Sequence, residues 1–155
     1  MALRYVPMSA DQAKRLRQGG KDAYGNPPER QISDGDGVPC RRCLRNVDAG
    51  DAYLIFALRP FTSLQPYAET GPVFMHADEC TAFSDGVRPP ILASSKDYLL
   101  RGYGSNERII YGTGGVVAAE QLESRAEALL AMPEVASVHV RSAKNNCYQC
   151  RIERM

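Results

Sequence analysis

With 155 residues, 44% apolar and 24% charged, the chain has the composition of an ordinary globular protein, which excludes a disordered or fibrous one; a single domain over 1–155 is expected. Nineteen Lys and Arg against eighteen Asp and Glu leave a formal charge of +1, so no overall field draws in nucleic acid or anionic lipid, and neither is expected as a partner. No stretch approaches the roughly 20 apolar residues of a membrane span and no apolar leader opens the chain, so a cytoplasmic location is expected.

Five cysteines, an odd count without a secretion signal, point to thiols or metal ligands rather than a disulfide framework. Arginine outnumbers lysine heavily. A phosphate-binding footprint would need those arginines clustered, so the excess reads as GC-rich bacterial coding. Nothing in the sequence fixes the oligomeric state.

Taken in order, residues 3 to 7 (LRYVP) read as an edge strand ended by a proline. Ser9 then caps a short helix reaching about Gln18, where Gly19 and Gly20 stop it. From 21 to 39 the chain is rich in Gly, Asn, Pro and Asp without hydrophobic periodicity, which predicts a long surface loop. Ala52 to Leu58 is apolar at nearly every position and predicts a central strand covered on both faces. Val73 to His76 reads as another strand. Tyr98 to Tyr103 and Arg108 to Tyr111 read as a hairpin around Gly104-Ser-Asn106, and Thr113-Gly-Gly115 as a turn only.

Between Ala118 and Ala131, Leu122, Ala126, Leu129 and Leu130 share one helical face, with Glu120, Glu123, Arg125 and Glu127 opposite them. Pro133 ends that helix. Strands at 135–141 and 147–154 follow, joined by a turn at Ala143 to Asn146. The expected class is therefore α+β: a mixed, mainly antiparallel sheet with one amphipathic helix near the C-terminus and a short N-terminal helix.

Two constellations carry chemistry. Pairing the last two strands apolar to apolar sets Val140 against Tyr148, Val138 against Cys150 and Ala136 against Ile152. Arg141 then faces Cys147 with Cβ atoms about 5 Å apart, and His139 lies diagonal to Cys147 at about 7–8 Å. A guanidinium beside a thiol favours the thiolate, so Cys147, His139 and Arg141 are candidate nucleophile, base and anion anchor. A plain solvated hairpin face is the competing reading. The C-x-x-C spacing of Cys147 and Cys150 does not form a dithiol on a regular strand, and Cys150 reads as core.

The second constellation is Cys40-Arg-Arg-Cys43 followed by His76-Ala-Asp-Glu-Cys80. Three thiolates and an imidazole complete a tetrahedral zinc shell, so a structural zinc is the one cofactor the residues suggest. Leu44 stands where a zinc knuckle usually has glycine, and two arginines lie inside the pair. Unliganded thiols and a transient redox pair remain open.

Pro39-Cys40-Arg41 with Cys43-Leu44, Pro66-Tyr67 with Thr70-Gly71-Pro72, Leu100-Arg101 with Tyr103, and His139 with Arg141, Ala143 and Cys147 form an ordered set of motifs. From about Pro39 to Arg154 the chain resembles a bacterial family of similar length known as domain of unknown function twelve-oh-three. The resemblance implies no activity, substrate or cofactor. Asn145-Asn146 departs from the family's pattern, where a glycine is expected before Cys147.

The function these readings favour is binding of a small polar or anionic ligand by Cys40, Arg41, Tyr67, Arg101, His139 and Arg141. A thiol-dependent enzyme using Cys147 and His139, and a zinc-stapled interaction module, are the alternatives, so enzyme status stays open.

Overall fold

Val138, Val140, Cys150 and Ile152 occupy alternate positions of two strands near the C-terminus and are at most 1% exposed. They form the floor of the larger of two sheets in a computed structural model that describes residues 1–155. The elements run Leu3–Val6 (β1), Ala10–Arg17 (α1), Glu29–Ile32 (β2), Ala52–Leu58 (β3), Gly71–His76 (β4), Asp97–Tyr103 (β5), Gly115–Ala118 (β6), Leu122–Leu130 (α2), Ser137–Ser142 (β7) and Tyr148–Arg154 (β8). Five strands in the order β1-β8-β7-β5-β6 make one sheet and β2-β3-β4 the other, with every strand pair antiparallel. This is the α+β class expected.

Each sheet carries one helix. Ser9 caps α1 by accepting a hydrogen bond from the Gln12 N–H at 3.3 Å, and Ala13 and Leu16 bury into the core of the smaller sheet. Helix α2 packs against the larger sheet through Leu122, Ala126, Leu129 and Leu130, the four positions that periodicity selects. Each of its three leucines contributes about 1.5–3 kcal/mol on burial.

Four expectations are corrected. The 21–39 segment is not all loop: β2 lies within it and pairs with β3, Arg30 opposite Leu54. All four β2 residues are exposed, so the strand rests on ladder hydrogen bonds and leaves no apolar alternation to read. Ala52–Leu58 is central only to the three-stranded sheet. It buries Leu54, Phe56 and Leu58 and leaves the alternate residues half-buried, so only one face is fully covered.

The third correction concerns the partner of β5. A tight turn does follow Tyr103, with Gly104 N–H bonded to the Arg108 carbonyl and Ile110 N–H to the Gly102 carbonyl. Pairing then stops at the single bridge Tyr103–Ile109. The strand beside β5 is instead β6, beginning at Gly115, and Thr113 fills the space over Gly102 by accepting its N–H at 2.9 Å.

The last hairpin keeps Val138, Val140, Cys150 and Ile152 on the expected face but not in the expected register, and Tyr148 turns to the opposite face, its ring 5.2 Å from that of His139. Val140 faces Cys150, Val138 faces Ile152, and Arg141 faces Tyr148 rather than Cys147. A bulge between Val140 and Arg141 leaves Gln149 as the extra residue on β8. The turn is closed by Ser142, whose hydroxyl accepts the Cys147 N–H at 3.0 Å, and Asn146 takes the left-handed conformation at φ 58°.

Candidate functional site

The knuckle between Val38 and Val47 is held by the Cys40 N–H on the Arg45 carbonyl, the Leu44 N–H on the Cys40 carbonyl and the Val47 N–H on the Val38 carbonyl, all at 2.8–2.9 Å. It docks on β4 through the Arg41 N–H to Phe74 at 3.0 Å and the His76 N–H to the Cys40 sulfur at 3.3 Å. His76 ends β4, and Cys80 follows four residues later. The ligand atoms of Cys40, Cys43, His76 and Cys80 consequently lie within 4.8 Å of one another.

The spacing inside this cluster fits a metal ion. Tetrahedral bonds of about 2.3 Å to sulfur and about 2.0 Å to nitrogen require roughly 3.8 Å between sulfurs and roughly 3.5 Å between sulfur and nitrogen. Cys40 Sγ and Cys80 Sγ are 3.8 Å apart, and Cys43 Sγ lies 3.4 Å from His76 Nδ1. Without a cation the thiols share protons: hydrogen bonds from Cys43 and then Cys80 draw the Cys40 thiol far down, and Cys40 in turn pushes Cys43 up. Arg17 of α1 donates to Cys80 Sγ at 3.2 Å and to the His76 carbonyl at 3.1 Å. Three thiolates around a dication leave one negative charge, which Arg17 offsets.

Leu44 follows the second cysteine at φ 56°, so the backbone adopts the knuckle conformation without glycine. The strain costs about 1–2 kcal/mol. Leucine tolerates it because its side chain is fully buried in the core of the larger sheet, beside Ile91 and Leu92, while its neighbours Cys43 and Val47 belong to the smaller core.

Arg41, between the two cysteines, projects away from the cluster. It is 3% exposed and donates Nε to the Tyr148 carbonyl at 2.8 Å and Nη1 to the Pro39 carbonyl at 2.6 Å. Burial draws its pKa down to about 10, which leaves it cationic at neutral pH.

The second centre lies on the face of the larger sheet turned away from α2. Arg101 pairs with His139 across β5 and β7, and His139 with Arg151 across β7 and β8. The His139 ring sits 4.2 Å from the Tyr103 ring and 5.2 Å from those of Phe61 and Tyr148. Burial first, then Arg141, Arg151 and Arg101, hold its pKa well below the usual value, so it is neutral; its Nδ1 has no hydrogen-bond partner.

Beside it, Arg101 Nη2 donates to both oxygens of Glu69 at 2.9 Å, and Arg141 Nη2 lies 2.9 Å from Glu69 Oε2. Arg101 Nε is fixed by the Tyr103 hydroxyl at 2.9 Å and Arg141 Nη1 by the Asn146 carbonyl at 3.2 Å, while Arg141 Nε is buried without a partner. A cleft of about 440 Å³ opens here, bounded by Glu69, Thr70, Arg141, Asn145, Asn146 and Cys147.

The expected ligand-binding set is thus brought together only in part. Arg101, Arg141 and His139 share the face, and Arg41 reaches its border through Tyr148. Cys40 belongs to the metal-type cluster, and Tyr67 turns outward to meet the Tyr111 hydroxyl at 3.1 Å. Cys147 lines the cleft with Arg141, whereas His139 borders a different cavity of about 280 Å³ with Thr62, Glu107 and Arg151. The only hydrogen bond of the Cys147 thiol is to the Asn145 carbonyl at 3.8 Å. Glu69, Phe61 and Tyr148 were not foreseen; an acidic residue within the Pro66–Pro72 stretch was the one signal that pointed to Glu69.

These features define a small α+β protein with a Cys3His cluster suited to a metal ion. The chain belongs to the family described as Protein of unknown function (DUF1203), which matches residues 37–154. No curated protein and no solved structure matches it.

Proposed function

We propose that this is a zinc-stapled binding protein whose cleft, lined by Arg141 and by the Glu69 that Arg101 holds, takes a small anionic ligand. The observation that carries the reading is the convergence of Arg101 and Arg141 on one carboxylate. Two cations held together at an opening, one of them with an unused buried Nε, are stabilised by any anion placed between them. Zinc is the cation that three thiolates and one imidazole in a closed tetrahedral set favour, and its role there is architectural. It fixes the knuckle, and the knuckle aims Arg41 at the start of β8. Isothermal titration against a panel of small acids and phosphates, repeated with Arg141→Ala, tests the reading; ligand bound equally well by the variant removes the site.

A second reading, a thiol-dependent enzyme, draws support from the position of Cys147 on the same cleft. In it Cys147 is the nucleophile and Arg141 anchors an anionic group, while His139, which borders the other cavity, is not placed to act as its base. It expects alkylation of Cys147 by iodoacetamide to outpace that of a free cysteine peptide, and an equal rate discards it.

A further inference from the structure

We propose that the ligand of this cleft is a carboxylic acid and that Glu69 is its built-in stand-in, occupying the arginine pair until the acid displaces it. The inference rests on the binding function just proposed and names its ligand class.

The argument starts from what is fixed and what is free. Arg101 and Arg141 grow from neighbouring central strands, their side chains are 17% and 6% exposed, and each has a second anchor, the Tyr103 hydroxyl and the Asn146 carbonyl. Glu69 sits in the connection between β3 and β4, its side chain is 40% exposed, and its backbone N–H is held only by the local Tyr67 carbonyl at 2.9 Å. The cations are therefore rigid and the anion is the replaceable partner.

The seat also bears on the anion. Both Glu69 oxygens lie 2.9 Å from one Arg101 nitrogen, and one of them is shared with Arg141 at the same distance. The occupant of this seat is itself a carboxylate, and that occupant names the class; because a guanidinium also binds phosphate oxygens bidentately, phosphate is the control that tests it. Beyond Glu69 the cleft continues along Thr70, Asn145, Asn146 and Cys147, groups that hydrogen-bond a hydroxyl, amide or second carboxylate on the body of the acid. An intramolecular carboxylate on a short connection competes at an effective concentration on the order of millimolar, so wild-type affinity for a free acid is correspondingly weakened.

The test compares wild type, Glu69→Ala and Arg141→Ala by isothermal titration with succinate, malate, acetate and inorganic phosphate. Glu69→Ala is expected to bind succinate or malate at least about tenfold more tightly than wild type, a difference of about 1.4 kcal/mol, with Arg141→Ala binding neither. Should Glu69→Ala lose thermal stability, acetate is expected to restore it in that variant and leave wild type unchanged. Arg141-dependent binding by wild type that Glu69→Ala leaves unchanged or weakens overturns the stand-in while the binding function survives. Phosphate bound as tightly as the acids overturns the ligand class. No binding by any form overturns both.

Discussion

Leu44 donates its N–H to the Cys40 carbonyl at 2.9 Å, yet the two side chains bury in different cores. One residue closes the metal-type turn and plugs the other sheet's interior. Glycine at this position would relieve the left-handed strain and remove the plug. Because deletion of a buried leucine side chain costs about 2–5 kcal/mol and the strain only about 1–2, Leu44→Gly is expected to destabilise by up to about 4 kcal/mol while metal content is unchanged. Urea unfolding alongside elemental analysis reads both quantities; a stabilised variant contradicts the account.

Protein purified without added metal is expected to carry one zinc per chain, and cobalt in its place to give the intense visible bands of a tetrahedral thiolate site. Chelation should cost at least about 4 kcal/mol, a fall of about 8–16 °C in Tm for a chain of this size. Cys43→Ser is expected to lose the metal. Full metal content in that variant, or none in wild type, defeats the assignment.

The helix face at Leu122, Ala126, Leu129 and Leu130, the capping serine and the grouping of Cys40, Cys43, His76 and Cys80 were all legible, because each is written in local spacing. What escaped the sequence depends on distant partners. Strand β2 has no apolar alternation because nothing covers it. The register of the last hairpin turned on one extra residue, Gln149, which swings Tyr148 to the face of His139 and moves Arg141 from Cys147 to Tyr148. Glu69 acquires meaning only when two strands from elsewhere deliver Arg101 and Arg141.

Arg41 is expected to resist its conservative replacement. Lysine keeps the charge but lacks the fork that reaches the Tyr148 and Pro39 carbonyls together. Arg41→Lys should cost about 1.5–3 kcal/mol, the range for a hydrogen bond to a charged group. Equilibrium unfolding with zinc saturating measures it, and a cost below about 0.5 kcal/mol would show that the fork is dispensable.

His139 gives the protein an acid sensitivity of definite sign. Its folded-state pKa is depressed by burial and by Arg141, Arg151 and Arg101, so above about 6.5 both the folded and unfolded forms are neutral and the residue contributes no pH dependence. Below that value only the unfolded chain takes up the proton, and stability falls by about 1.4 kcal/mol per pH unit. Between pH 6.5 and 5.5, His139→Gln is expected to lose about 1 kcal/mol less than wild type, since protonation of the metal ligands is common to both. Parallel urea curves at the two pH values provide the comparison; identical losses refute it.

The plug at Leu44 also bears on how the molecule comes apart. Unravelling the small sheet withdraws a leucine from beneath the large one, and dissolving the large sheet leaves that leucine stranded in water on a strained turn. Neither half has an independent melting point to express, and a calorimeter should record one heat-absorption peak for both.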